Sequence, residues 1–177
     1  MSVRIAVSGH RIYDDAARDV IAAGVRAVLV PYARRSDGGP AGPTGPNEQR
    51  QPAHLVSSLA EGADQLAAEI ALSLGLRLEV VLPAAGYAES LLGQFRDPFE
   101  DLLARADSVR VLDYDEPGPD AYLAAGLAVL EGADLLLAVW DGQAERGVGG
   151  TAQVVAAARD AGIEVVVVWP DDYERPE

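Results

Sequence analysis

Short apolar runs alternate with segments of helical periodicity along this 177-residue chain. Six runs rich in Val, Ile and Leu are predicted as strands: Val3–Ser8, His54–Leu59, Arg77–Leu82, Ser108–Leu112, Asp134–Val139 and Ile163–Val168. Five segments place apolar residues at helical spacing: Ala16–Val30, Ala63–Leu74, Pro98–Ala106, Ala121–Leu130 and Thr151–Ala161. Strands that alternate with helices in this way predict an α/β fold, namely a Rossmann-like, doubly wound and mostly parallel sheet with helices on both faces.

The chain length suits one domain, and residues 1–177 are expected to form a single one. Residues 34–52 are dense in Gly, Pro and polar side chains, which predicts a flexible loop. No apolar run reaches the length of a membrane span and the N-terminus lacks a signal-peptide pattern, so we expect a cytoplasmic protein with no membrane partner. The chain contains no cysteine, which excludes disulfides and thiolate metal sites.

Acidic side chains outnumber basic ones by 28 to 14, which gives a formal net charge of −14. A surface of this sign repels phosphate backbones and lacks the basic area that duplex-binding proteins present. We therefore predict that nucleic acid is not a partner. A small local basic pocket remains compatible with binding of a single nucleotide.

The segment between the predicted strand 134–139 and the helix that begins at Thr151 carries the strongest binding signal. Gly147, Gly149 and Gly150 let the backbone turn tightly and bring its N–H groups close to a ligand. The helix start adds unpaired N–H groups and a positive dipole end, and Thr151 adds a hydroxyl. We predict phosphate binding in this loop. The alternative is a flexible turn in which Thr151 serves only as an N-cap.

The loop after the first strand contains Gly9 and Arg11. Arg11 suits a phosphate or ribose contact through its planar fork of donors. An ordinary salt bridge from Arg11 to Asp14 or Asp15 is the alternative.

The loop after the second strand contains Glu61, Gly62 and Asp64. Glu61 or Asp64 would hydrogen-bond ribose hydroxyls or a base, whereas the alternative for Asp64 is stabilisation of the following helix through its first turn. Trp140 ends the strand at 134–139, where a base could stack on it or where it could simply pack. Tyr87 and Tyr122 are further stacking candidates.

Several well-known cofactor and metal motifs are missing from the sequence. The G-x-G-x-x-G dinucleotide pattern does not follow the first strand, and the chain has no lysine for a P-loop. The two histidines do not have metal-ligand spacing. The sequence therefore predicts neither a resident cofactor nor a metal site.

Three motifs in this order resemble the SLOG superfamily, which joins the DNA-processing A (Smf) proteins to the LOG, or Lonely Guy, phosphoribohydrolases. They are Ser8–Arg11, Leu59–Asp64, and Ala138–Gly142 leading into Gly149–Thr151. The resemblance implies a Rossmann-like fold that binds nucleotides or nucleotide-derived ligands, including ADP-ribose-like signals, through these three loops. It also implies a homodimer, since family members often pair.

The chain departs from the LOG pattern P-G-G-x-G-T-x-x-E, whose glutamate helps to cleave an N-glycosidic bond. Alignment on Gly150 and Thr151 places Val154 where that glutamate would stand. Cleavage builds positive charge on the sugar, which a carboxylate would stabilise, and the catalytic candidates that could supply one are Glu61, Asp64, Asp141 and Glu145.

Three functional hypotheses follow. The first is binding of a nucleotide or nucleotide derivative such as AMP or an ADP-ribose-like molecule, with a sensor role as its extension. The second is LOG-like hydrolysis of nucleoside 5′-monophosphates, and the third is a non-catalytic assembly module. Whether the chain is an enzyme stays open at this point.

Overall fold

The computed structural model describes residues 2–33, 51–144 and 148–174. Residues 34–50, which make up nearly all of the predicted flexible loop, lie outside this part of the chain, as do residues 145–147.

The described strands and helices alternate as the sequence pattern predicted. The strands are β1 Arg4–Gly9, β2 His54–Ser57, β3 Arg77–Leu82, β4 Ser108–Val111, β5 Leu135–Val139 and β6 Glu164–Val168. The helices are α1 Asp15–Leu29, α2 Ala63–Ser73, α3 Tyr87–Ser90, α4 Gly93–Ala104, α5 Pro119–Ala128 and α6 Thr151–Asp160. A short 3₁₀ helix, Val30–Tyr32, follows α1.

The six strands form one sheet in the order β4-β3-β2-β1-β5-β6, and every neighbouring pair is parallel. Ile5 and Val7 of β1 belong to a core shared with α1, α2 and α4, whereas Ala6 between them belongs to a second core shared with α6. Helices on both faces of a parallel sheet confirm the predicted doubly wound α/β class.

The strand order reverses at β1, which pairs with β2 on one side and with β5 on the other. Gly9 at the end of β1 lies opposite Val139 at the end of β5. Ligands of open α/β sheets bind beyond the carboxyl ends of the strands at such a switch point. The fold therefore directs attention to the loops that follow β1 and β5.

Two element boundaries differ from the prediction in ways that affect this edge of the sheet. The second strand ends at Ser57, because Leu59 has a left-handed backbone with φ of 52° and its N–H donates to the Ser57 hydroxyl. The helix predicted to begin at Pro98 begins at Gly93, with Pro98 inside it. Pro98 thus lies in the helix interior, where one backbone donor is missing.

None of the helices in the described ranges is long and apolar enough to cross a membrane.

Candidate functional site

A cavity of about 430 Å³ opens at the carboxyl ends of β1 and β5. Its volume falls in the range of small-molecule sites. Seven of the residues that the sequence singled out for ligand binding line it: Gly9, Arg11, Asp64, Trp140, Gly149, Gly150 and Thr151. Glu61, Gly62 and Asp141 are not among the lining residues. Gly147 and Glu145 lie outside the described residues.

The N-terminus of α6 opens into this cavity through Gly150, Thr151 and Ala152. Gly150 is the N-cap and Thr151 is the first helical residue, so the alternative in which Thr151 caps the helix is wrong. The Thr151 side chain is buried, with 7% of the residue exposed, and its hydroxyl has no hydrogen-bond partner among the residues described. A hydroxyl without a protein partner, beside the unpaired N–H groups of a helix start, is an arrangement that suits an anion.

Gly149 has a structural role in the same loop. Its φ of +87° is left-handed, and a Cβ there would come within 3.1 Å of the Leu123 backbone nitrogen. Its N–H donates to the Gln153 side-chain oxygen at 2.6 Å. Gly149 thus fixes the turn against α5 and leaves the N–H groups of Thr151 and Ala152 for a ligand.

Arg11 pairs with Glu61, not with Asp14 or Asp15. The Arg11 Nε donates to Glu61 Oε2 at 3.0 Å and its Nη2 contacts the same oxygen. The other carboxylate oxygen accepts the Leu92 N–H at 2.5 Å, immediately before α4. Glu61 is 2% exposed and Arg11 is 54% exposed, so the buried carboxylate of Glu61 holds the more exposed guanidinium of Arg11 at the cavity.

Asp64 is a buried carboxyl group in the cavity wall, 4% exposed. Burial raises its pKa from 3.8 to about 7, while hydrogen bonds from the Ala60 backbone, the Ser57 hydroxyl and the Ser58 and Gly9 backbones act in the opposite direction. Its partners belong to both β1 and the loop after β2. Asp64 therefore joins two strand ends, a role that the helix-stabilising alternative did not include.

Gly9 and Gly62 allow the segment at the end of β1 to contact the loop that follows β2. A Cβ on Gly9 would lie 2.5 Å from the Ala63 Cβ and 2.7 Å from the Val139 Cβ. A Cβ on Gly62, whose φ is +78°, would lie 2.4 Å from the Arg11 carbonyl oxygen. The glycines are required by contact between protein segments, which the sequence could not distinguish from close approach to a ligand.

Asp141 organises the loop after β5. Its Oδ1 contacts the His10 Nε2 at 2.9 Å and accepts the Gln143 N–H at 3.1 Å. The His10 ring packs edge-on against Trp169, at 5.1 Å between centroids. Trp169 follows β6 at the same edge of the sheet, and this position is the signal by which the sequence could have included it.

Aromatic side chains form a further part of the cavity wall. Trp140 lines the cavity, its indole N–H donates to the Gln143 carbonyl at 2.8 Å, and Arg159 lies 5.8 Å from its ring centroid. Tyr87 and Tyr122, which were predicted as further stacking candidates, also line it, with ring centroids 6.2 Å apart.

Val154 stands in the cavity wall where the LOG pattern would place its glutamate, and it is 1% exposed. A Cβ on Gly126 of α5 would lie 2.7 Å from a Val154 methyl group, so the two helices are in tight contact there. Among the described residues, Asp64 is the only carboxyl-bearing side chain that lines the cavity. Nor does the described part of the chain contain a cluster of three His, Asp or Glu side chains that could hold a metal ion.

No protein-family model matches the chain, and none of the curated proteins is similar to it in sequence. Solved structures do match. DNA processing protein A from Streptococcus pneumoniae is 15% identical with a TM-score of 0.61, over 94% of this chain and 50% of that one. The Helicobacter pylori protein is 16% identical with a TM-score of 0.64, over 98% and 68%. A molybdenum cofactor binding protein from Rippkaea orientalis is 13% identical with a TM-score of 0.54, over 94% and 76%.

The chain therefore has the Rossmann-like fold of these solved structures, which include the DNA processing A proteins that the three motifs resemble. The chain spans half the length of the pneumococcal protein. At these identities the similarity establishes the fold alone.

One expectation has to be corrected. The Helicobacter pylori structure is described by its single-stranded DNA binding mode, so a protein of this fold does bind nucleic acid. The prediction that nucleic acid is not a partner is therefore wrong as an exclusion. Net charge is a sum over the whole surface, whereas single-stranded DNA is bound by local groups. A net charge of −14 therefore does not exclude nucleic-acid binding.

Proposed function

We propose that the chain binds a nucleotide or nucleotide-derived ligand, such as AMP or an ADP-ribose-like molecule, with a phosphate at the N-terminus of α6. The observation that carries the proposal is Thr151, a residue of the cavity wall that is 7% exposed and whose hydroxyl has no hydrogen-bond partner among the described residues. A phosphate oxygen would accept hydrogen bonds from this hydroxyl and from the N–H groups of Thr151 and Ala152.

Arg11 supplies the counter-charge in this proposal. Glu61 uses the Nε and Nη2 edge of the guanidinium, and the half-exposed remainder lies at the cavity rim. Because Glu61 offsets part of the charge, the site combines one partly neutralised cation with a helix dipole. Such a combination suits a small number of phosphate groups better than a long polyphosphate.

The base would lie against apolar and aromatic surface. Trp140 and Tyr122 line the cavity, and the exposed side chains of Ile12 and Val148 stand among its lining residues. Ile12 is 61% exposed and Val148 is 51% exposed, although both are large and apolar. A planar base covering them would remove this surface from water.

Retention of the ligand, and hence a sensor role, is favoured over cleavage. Val154 replaces the glutamate of the LOG pattern, and Glu61 is engaged with Arg11 and Leu92. Asp64, the one carboxyl-bearing side chain in the described cavity wall, is held by hydrogen bonds to the protein itself.

Single-stranded DNA is a second candidate ligand. The specific observation in its favour is the similarity to the Helicobacter pylori DNA processing protein A. The same site at α6 would then hold one phosphate of the strand, and binding would weaken steeply with salt.

A thermal-shift panel with AMP, ADP-ribose and a thymidine oligonucleotide tests the proposal, with calorimetry for affinity. A ligand that binds the folded state raises the melting temperature. Thr151→Val keeps the side-chain shape and is expected to weaken binding roughly tenfold or more, since it removes a hydrogen bond to a charged group. Ser108→Ala, on the exposed strand β4, is the matched hydroxyl deletion and should change nothing.

The outcomes separate the candidates. Stabilisation by AMP or ADP-ribose that Thr151→Val weakens supports the proposal. Stabilisation by the oligonucleotide alone favours single-stranded DNA as the ligand. If no ligand of the panel shifts the melting temperature, the nucleotide proposal is wrong.

A further inference from the structure

Tyr87 is a second hydroxyl-bearing residue of the cavity wall that is almost fully buried. The residue is 5% exposed and lines the cavity from the first turn of α3. Its ring packs edge-on against Phe99, at 5.8 Å between centroids, and lies 6.2 Å from the ring of Tyr122. Its hydroxyl has no hydrogen-bond partner in the described ranges 2–33, 51–144 and 148–174.

The ring and the hydroxyl of Tyr87 make separate contributions. The packing against Phe99 and Tyr122 involves only the ring, which a phenylalanine would reproduce. The hydroxyl takes no part in this packing and has no hydrogen-bond partner among the described residues, so it is left for a group that enters the cavity.

The electrostatic surroundings restrict what that partner is. Burial, with the nearby Asp64 as a further cause, raises the pKa of the Tyr87 hydroxyl, so it remains a donor throughout the neutral range. Glu61 places negative charge near the phenol, Asp64 adds to this charge when it is ionised, and Arg11 acts in the opposite direction. A neutral acceptor of the ligand therefore suits this position better than a second anionic group.

We infer that Tyr87 is a specificity-determining residue that donates a hydrogen bond to a neutral polar group of the nucleoside moiety, a sugar hydroxyl or a base heteroatom. The inference rests on the proposed function, in which the phosphate occupies the α6 end. The two unpartnered hydroxyls then have different tasks. Thr151 contacts the charged group, and Tyr87 contacts the uncharged part of the same ligand.

Tyr87→Phe tests the inference through two measurements on the whole chain. Without ligand, the melting temperature should equal or exceed that of the unmodified protein, because only an unpaired hydroxyl is removed. The dissociation constant for whichever of AMP or ADP-ribose binds should rise roughly three- to tenfold, as expected for loss of one hydrogen bond between neutral groups. Tyr114→Phe, at a side chain that is 41% exposed, is the matched control and should change neither value.

Each result bears on the inference. A lower melting temperature of ligand-free Tyr87→Phe would show that the hydroxyl has a structural partner and would overturn it. Unchanged affinity in Tyr87→Phe, with weakened affinity in Thr151→Val, would overturn it and leave the phosphate proposal standing. Failure of the unmodified protein to bind either nucleotide would remove both.

Discussion

The ion pair between Arg11 and Glu61 joins a side chain that is 54% exposed to one that is 2% exposed. Arg11 comes from the loop after β1, Glu61 from the loop after β2, and the remaining Glu61 oxygen accepts the N–H of Leu92, the N-cap of α4. One buried carboxylate thus connects three segments around the cavity. If the pair were counted as an ordinary surface salt bridge, the burial of Glu61 and its contact with Leu92 would be overlooked.

Replacement of Arg11 by alanine is expected to lower the free energy of unfolding by about 1–3 kcal/mol, because it leaves the buried carboxylate of Glu61 without its cation. The double variant Arg11→Ala, Glu61→Gln should recover part of this loss, since glutamine can still accept the Leu92 N–H without a charge. Denaturant unfolding of the two single variants and the double variant gives the coupling. An Arg11→Ala protein as stable as the parent would contradict the described role of Glu61.

Gly62→Ala should be far more destabilising than Gly162→Ala. Both glycines have left-handed backbones, with φ of +78° and +72°, so the conformational cost of about 1–2 kcal/mol is common to both. A Cβ at Gly62 meets the Arg11 carbonyl oxygen at 2.4 Å, whereas a Cβ at Gly162 meets nothing within 4 Å. Thermal unfolding of the two variants isolates the contact between loops. Equal losses would mean that the loops can separate at little cost.

Asp64 makes stability depend on pH in a defined direction. Its pKa is raised from 3.8 to about 7 in the folded protein, so between these values the folded state holds a proton that the unfolded state has released. Its contribution to stability is fully present below pH 3.8 and is lost as the pH rises towards about 7. Across this pH window the free energy of unfolding should fall less in Asp64→Asn than in the parent protein, even if the variant is less stable throughout.

Asp115→Asn, at an exposed carboxylate, is the control for that experiment. It should keep the pH slope of the parent protein. A slope that Asp64→Asn leaves unchanged would show that Asp64 ionises in the folded protein as it does in the unfolded chain.

Incubation with AMP is expected to release no adenine. Val154 occupies the position of the LOG glutamate, and Asp64 is already hydrogen-bonded to the backbone of two loops. Chromatography of the reaction mixture over hours at high protein concentration measures the release. Base release that disappears in Asp64→Asn would contradict the binding-only proposal and identify Asp64 as the catalytic carboxylate.

The sequence predicted the sheet well because the relevant signals are local. Apolar runs such as Leu135–Val139 are buried throughout, and glycines follow several helices, so strand and helix alternation could be recognised without tertiary information. The short helix Tyr87–Ser90 was not predicted, since four residues carry no periodicity. The strand order brings the loops after β1 and β5 together, and this order is a feature of the folded sheet rather than of any local sequence pattern.

The site was predicted at the level of loops and only partly at the level of side-chain roles. Thr151 lies at a helix start, which the glycine pattern indicated. The pairing of Arg11 with Glu61 spans 50 residues of sequence, and neighbouring Asp14 and Asp15 were the more obvious candidates. Such long-range partners are determined by how the loops pack, which no local pattern records.

The contact at Gly9 has a consequence for how the site can be altered. Gly9, Ala63 and Val139 belong to three different segments, and no added methyl group fits between them. Exchange of one loop with that of another protein of this fold would therefore fail unless the other two came with it. The three loops constitute one transplantable unit, and engineering of new ligand specificity is best directed to side chains such as Tyr87 and Tyr122 that lie outside it.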